Sequence, residues 1–231
     1  VFAVTGEAAS FSVGERQAAL EALVEAGVPS EKLIVGVGTC ARSDTVALCR
    51  HALELGCRRQ VMLPPYFFRR LLDEGIYRAY AEVLDTLADP RLELFLYHNP
   101  QTTGAPITAA IIQRLIEAYP GTIQGVKDSS ANLEHSLSLA RAFPQLAIHV
   151  GCEPHVAPVM LAGGAGSMAA GEYVSVKAQN ELIHREIEIE RQSIFEKPEA
   201  ETNELAAIYE ERGLGPAHAR RIAIAIMSDP E

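Results

Sequence analysis

Basic side chains are scarce in this sequence. Lys and Arg number 20 against 30 Asp and Glu in 231 residues, a formal net charge of −10. A surface of that sign repels phosphate backbones and anionic lipid headgroups, which sets nucleic acid and acidic membranes aside as partners. Cysteine is scarce as well. Cys40, Cys49, Cys57 and Cys152 are scattered and form no C-x-x-C pair. Neither a disulfide framework nor a cysteine zinc site is written here, and reduced thiols in the cytoplasm are expected. No apolar run approaches the roughly 20 residues that a membrane-spanning helix needs, and the opening residues carry no signal-peptide pattern. No G-x-G-x-x-G follows the first strand-like run, which weakens a dinucleotide-binding reading. An initiator Met is lacking too. Val1 opens straight into "VFAVTGE", so the chain is expected to lack the true beginning of its fold.

What is present is ordinary globular composition, 48% apolar and 22% charged. Strand-like and helix-like patterns alternate along it. "VFAV", "KLIVGVG", "QVMLPPYF", "LELFLYHNP", "TIQGVKDSS" and "LAIHVGCE" read as strands. Between them, "SVGERQAALEALVEAG", "RSDTVALCRHALELG", "DEGIYRAYAEVLDTL", "ITAAIIQRLIEAYPG" and "ANLEHSLSLARAF" have helical spacing. The first of these helices offers a Ser as N-cap and a Gly as stop. Strand–helix units in this rhythm predict parallel strands joined by right-handed crossovers, in an open doubly wound sheet or a (β/α)8 barrel.

Several polar residues fall at the carboxyl ends of the predicted strands: Thr5, Gly6 and Glu7, then Tyr66, then Tyr97 and His98, then Lys127. In a barrel these ends converge on one face, where active sites lie. A single strand-end lysine is ordinarily just solvated. The coincidence of Lys127 with a strand-end tyrosine and a Thr-Gly turn favours chemistry instead. An unprotonated amine attacks the carbonyl of a 2-oxo acid to form a Schiff base, and an apolar surround disfavours the ammonium form. The iminium then draws electrons from the neighbouring C–C bond, and a nearby phenol moves protons. Successive backbone N–H groups at a Thr-Gly turn suit a carboxylate. Tyr66 can line such a site or simply pack. His98 can touch substrate or orient a neighbouring backbone group. Asp128 and the serines after it can hydrogen-bond around the lysine or cap the next helix, and the cap is the favoured role. His135, His149 and His155 lack metal-ligand spacing and are expected to be structural or solvated.

The segments "TGEAASFS", "LYHNPQTTG", "GVKDSS" and "LAGGAGS" resemble, in order and spacing, the dihydrodipicolinate synthase / N-acetylneuraminate lyase family of class I aldolases. The resemblance spans about residues 1–168. It implies a (β/α)8 barrel lacking its first strand, with Lys127 as the Schiff-base lysine and Tyr97 as the catalytic phenol. It also implies that Thr5 and Gly6 hold the substrate carboxylate, that no cofactor is needed, and that a complete barrel self-associates. Three positions depart from the synthase pattern. Val4 replaces a relay hydroxyl, Phe67 a second relay tyrosine, and Thr102 an arginine that grips a dicarboxylic substrate. A lyase or aldolase acting on another 2-oxo acid is therefore expected.

The remaining residues, 169–231, are expected to form an acidic helical segment. Residues 171–231 carry 13 of the 30 acidic side chains and only 7 of the 20 basic ones. "SMAAGEYVSVKAQ" and the Glu-rich stretch after it resemble the cytosolic part of vacuolar iron transporter-like proteins. That resemblance implies a site for Fe, Mn or Zn ions. Glu186 and Glu190 stand at i, i+4, and Glu201 and Glu204 at i, i+3, so each pair shares a helix face. A solvated Glu-rich face explains the same pattern. The two readings together predict a hybrid chain, its barrel part an open sheet with unpaired edges.

Overall fold

The computed structural model describes residues 1–163 except Thr5 and Arg69, and residues 192–227 except Ser193 and Arg212. The chain divides into two compact units, residues 1–175 and 176–231. In the first, a parallel sheet runs in the order β1-β2-β3-β4-β5. Its strands are β1 (Val35–Gly36), β2 (Arg59–Met62), β3 (Glu93–His98), β4 (Ile123–Asp128) and β5 (Ala147–Val150). The helices are α1 (Val13–Glu25), α2 (Arg42–Glu54), α3 (Asp73–Leu87), α4 (Pro100–Thr103), α5 (Ala109–Ala118), α6 (Leu133–Ala142) and α7 (Val156–Leu161). The strand–helix alternation is as the sequence predicts. "VFAV" is the exception, for it forms no strand element. Val1 donates to the Ile34 carbonyl at 2.9 Å and accepts from the Gly36 N–H at 2.8 Å. That approach requires glycine, because a Cβ on Gly36 would lie 1.8 Å from the Phe2 carbonyl oxygen.

Each strand alternates between two apolar layers, as a pleated chain must. Met62, Leu94, Leu96, Val126, Ile148 and Val150 join the core that the helices cover. Val61, Phe95 and Tyr97 form a second cluster on the opposite face, with Ala147 packed against it. A bulge interrupts the alternation in β4. Leu94 faces Ile123, but the next residue, Phe95, faces Gly125. Both Ile123 and Val126 consequently belong to the helix-covered core, which an unbroken strand would not allow.

Local signals start the helices where they begin. Ser12 caps α1 through a capping box: its hydroxyl accepts from the Glu15 N–H at 3.3 Å, and the Glu15 carboxylate accepts from the Ser12 N–H at 2.8 Å. Thr108 caps α5 and Asn132 caps α6. The second unit contains α8 (Pro198–Glu211) and α9 (Pro216–Met227). Ala206 lies buried on α8, and Ala219 and Ala223 on α9, so small side chains line the contact between the two helices. Arg220 of α9 donates to the Asn203 side chain of α8 at 3.1 Å.

Gly125 tests the second layer. A Cβ there would lie 2.2 Å from the Ala147 carbonyl oxygen and 2.8 Å from the Phe95 ring. Gly125→Ala is expected to cost about 1–3 kcal/mol through overpacking, read as a lower urea midpoint at unchanged slope. An unchanged midpoint would mean that the ring can step aside without cost.

Candidate active site

Lys127 is the fifth residue of β4, and cross-strand register sets it opposite Tyr97 of β3. Parallel partners in register point to the same face. Both side chains therefore project into the layer of Phe95 and Val61, away from the helices. The Lys127 amine lies 4.5 Å from the Tyr97 ring centroid, over the ring. Tyr97 is 2% exposed and Lys127 9%. A buried amine against a buried phenol, at adjacent strand ends, forms the centre of the site.

His98 does not join them. Alternation turns it to the helix-covered face, so it is not placed to touch a substrate at Lys127. Its Nδ1 accepts the Ile107 N–H at 3.1 Å. This is the other role open to it, that of holding a neighbouring backbone group. Asp128 turns outward for the same reason, one residue past Lys127. It does not cap α6, a role that Asn132 fills. Its Oδ2 accepts from the Ser136 hydroxyl at 2.7 Å and pairs with His135 Nδ1 at 2.9 Å, and its Oδ1 accepts from the Ser130 N–H at 2.9 Å. The His135 ring stacks on His98, centroids 4.4 Å apart and planes 19° from parallel. A cleft of about 550 Å3 opens beside the stack, bordered by Gln101, Thr108, Ser130 and Asn132.

His135, expected to be structural or solvated, is part of a cluster. His98, Asp128 and His135 bring potential metal-ligand atoms within 4.8 Å of one another. Separations of 30 and 7 residues hid that from the sequence. The hydrogen bonds tell against a metal. With Nδ1 accepting, neutral His98 carries its proton on Nε2 and has no second lone pair to give. His135 Nδ1 and both Asp128 oxygens already have partners in the protein. The cluster is a brace that ties the start of α6 to the ends of β3 and β4.

The other expected site residues are placed less centrally. Thr5 lies outside the described residues. The Gly6 N–H is engaged with the Ala3 carbonyl at 3.1 Å, and that of Glu7 with Val4 at 3.0 Å, so the turn spends on itself amides that a carboxylate was expected to take. Tyr66 is half-buried beside Cys40 and near Arg16; burial first, and Cys40 second, push its phenol up. Glu186 and Glu190 lie outside the described residues. Glu201 and Glu204 sit three apart on α8, and among the described residues no third His, Cys, Asp or Glu completes a metal-ligand group with them. His149 was expected from the sequence to be structural or solvated. Register sets it opposite Lys127 on β5, on the side away from Tyr97.

A lysine and a tyrosine thus lie buried together at adjacent strand ends of a parallel α/β sheet. The chain matches the dihydrodipicolinate synthetase family over residues 1–215 and belongs to that family. The match runs well past residue 168, which removes the main ground for reading the tail as a transporter segment. An uncharacterized DapA-like lyase of Chloroflexus aurantiacus is 38% identical over 167 residues, 72% of this chain and 55% of that protein. The 2-dehydro-3-deoxy-D-gluconate/2-dehydro-3-deoxy-phosphogluconate aldolase of Thermoproteus tenax is 26% identical over 209 residues, 83% of this chain and 65% of the aldolase. The crystal structure of dihydrodipicolinate synthase from Agrobacterium tumefaciens is similar at a TM-score of 0.68 and 30% identity, over 71% of this chain and 57% of that one. The chain thus spans little more than half the length of the curated relatives it matches. Among the described residues, no helix is long and apolar enough to cross a membrane.

The brace makes folding sensitive to acid. Burial holds His98 down at about 4, against an ordinary 6.5. Burial would raise the Asp128 carboxyl, but hydrogen bonds from His135, Ser130 and Ser136 outweigh it and hold the group at about 2, against 3.8. Below pH 6.5 the unfolded chain protonates His98 and the folded chain does not. Stability therefore falls by about 3 kcal/mol as pH drops from 6.5 to 4. Ionised Asp128 adds stability above pH 3.8, and about 2 kcal/mol of it is lost as pH falls toward 2. His98→Asn keeps an acceptor for the Ile107 N–H and should remove the first slope while keeping the second, in urea unfolding across pH. Identical slopes in both chains would show that His98 titrates freely when folded.

Proposed function

We propose that this chain carries the centre of a class I lyase or aldolase, which makes or breaks a C–C bond of a pyruvate-type 2-oxo acid through a Schiff base. One observation carries the reading: the buried Lys127 amine lies 4.5 Å from the centroid of the buried Tyr97 ring. The Lys127 Nζ attacks the keto carbon and water leaves, giving an iminium that replaces any need for a cofactor. Loss of a proton from the methyl carbon gives the enamine, which attacks an aldehyde carbon; cleavage is the reverse. The Tyr97 phenol carries protons between these species.

The substrate carboxylate is assigned to the turn at Thr5 and Gly6, where the Gly6 N–H must exchange the Ala3 carbonyl for a substrate oxygen. Thr102 offers no cation for a second carboxylate, so the reaction partner is an aldehyde other than the dicarboxylic substrate of the synthase. Self-association of the whole enzyme, as in its family, is part of the same proposal.

Pyruvate with borohydride should reduce an imine on Lys127 and leave a three-carbon adduct there, found by mass spectrometry after proteolysis. Lys127→Ala should abolish it. Tyr97→Phe should still trap pyruvate while turnover falls by about 10²–10⁴-fold, since proton transfer suffers most. An adduct spread over surface lysines, or one that persists in Lys127→Ala, would refute the assignment.

A further inference from the structure

Two helices start at the edge of the cleft of about 550 Å3 that His98 borders. Thr108 and Ala109, the N-cap and first residue of α5, line it, and so do Asn132 and His135, the N-cap and third residue of α6. Both helices are ten residues long. Each cap side chain accepts the third N–H of its helix, which leaves the first two amides without an intrahelical acceptor. The positive ends of two helix dipoles thus lie at one cavity. The histidines point to a ligand independently of the helices. His98 is 4% exposed, and its Nδ1 accepts the Ile107 N–H, so its proton is on Nε2. No described residue accepts that proton. Among the described residues, the sealed side-chain atoms that lack a partner belong to Arg16, Gln60 and Ser129. His98 Nε2 is not one of them and so keeps an opening, and it is the cleft that His98 borders. His135 offers the converse. Asp128 is ionised at neutral pH and only accepts, so His135 Nδ1 donates to it and the neutral ring keeps a lone pair on Nε2. No described residue donates to that lone pair.

We propose that this cleft binds a phosphate ion, which accepts from the His98 Nε2–H and the first-turn amides of α5 and donates its own P–OH to His135 Nε2. The site is separate from Lys127 and does not depend on the Schiff-base reading. Helix N-termini suit an oxyanion. The lone pair of His135 then selects among oxyanions. A sulfate or a carboxylate has no proton to give and sets oxygen against that lone pair, whereas hydrogen phosphate carries one. The ion therefore answers donors and acceptor together. No Lys or Arg lines the cleft, so hydrogen bonds rather than ion pairs hold the ion. The negative net charge opposes long polyanions, but a single small ion responds chiefly to the groups around it. Asp128 and Asp73, the carboxylates tied to cleft residues, are already engaged, Asp128 with three donors and Asp73 with the Thr108 hydroxyl. Glu134, in the first turn of α6, is exposed.

The full chain is titrated with sodium phosphate, sodium sulfate and glycerol phosphate at constant ionic strength and about pH 8, where a phosphomonoester has lost its last phosphoryl proton. The imidazole nitrogens of His98 and His135 are followed by NMR. Phosphate should move both Nε2 resonances along a saturating curve. Sulfate and glycerol phosphate should bind at least about tenfold more weakly, because neither brings a proton to His135. Ala109→Pro removes a first-turn amide at a position where proline suits a helix, after a Thr108 that is already extended. It should weaken phosphate about fivefold while the chain melts as the wild type does. His98→Asn keeps an acceptor for the Ile107 N–H but loses the Nε2 donor, and should weaken phosphate at least about tenfold, read at His135. Absence of a saturating shift with phosphate overturns the proposal. So does sulfate or glycerol phosphate that binds as well as phosphate, or an unchanged phosphate affinity in Ala109→Pro or in folded His98→Asn. Ala109→Pro alone decides the place of the site if His98→Asn does not fold.

Discussion

The register between β3 and β4 is the constraint on which the rest of the site depends. Opposite Tyr97 stands Lys127, and parallel pairing sends both side chains to one face. A phenol and an amine with no sequence proximity are thereby held within a few ångströms by backbone hydrogen bonds alone. No side-chain contact has to be arranged to bring them together. The ladder does this before either group is used, which is how a rigid sheet preorganises chemistry. The same ladder extends to His149, so one row across three strands sets what surrounds the amine.

The opposite face of the same strand ends does structural work of another kind. His98 and Asp128 follow Tyr97 and Lys127 by one residue each and turn toward the helices. Asp128, its carboxylate fixed by Ser130, His135 and Ser136, anchors the first turn of α6. His98 holds the Ile107 N–H just before α5. Each inward reactive residue thus has an outward neighbour that pins the strand end to a helix start. An acid–base network of this sort resembles a catalytic one in composition. Its hydrogen bonds distinguish it, because His98 Nδ1 and both Asp128 oxygens already have partners in the protein.

Much of this was legible in the residues. Alternating strands and helices gave the parallel sheet, and "GVKDSS" with "LYHNPQTTG" located Lys127 and Tyr97. Period-two alternation also turns His98 and Asp128 outward once Tyr97 and Lys127 point inward. The Asn132 cap lay hidden behind Ser129 and Ser130, which are equally good cap residues. Only the three-dimensional contact between α6 and the strand ends, with Asp128 already bound to Ser130, selects Asn132. His149 could not be found by spacing. Its partner is 22 residues away on another strand, and nothing in "LAIHVGCE" says which residue meets Lys127. Of the tail's Glu pairs, Glu186 and Glu190 lie outside the described residues, and Glu201 and Glu204 share a face of α8 to which, among the described residues, no further ligand is added.

The bulge in β4 is the least visible feature in the sequence and the most consequential. Leu94 faces Ile123. Continued without interruption, that pairing would set Phe95 opposite Gln124, Tyr97 opposite Val126, and His98 opposite Lys127. The amine would then point into the helix-covered core beside His98, with no phenol near it and no open face for a substrate. The one extra residue of β4 shifts the pairing, so that Gly125 meets Phe95 and Lys127 meets Tyr97. It also places the glycine where the Phe95 ring needs room, and the bulge and Gly125 are therefore coupled. A side chain at residue 125 would press on that ring in the shifted register, while an unshifted register would leave the ring against Gln124. Bulges beside reactive groups re-aim side chains in this way. Here the re-aimed side chain is the lysine on which the proposed chemistry rests.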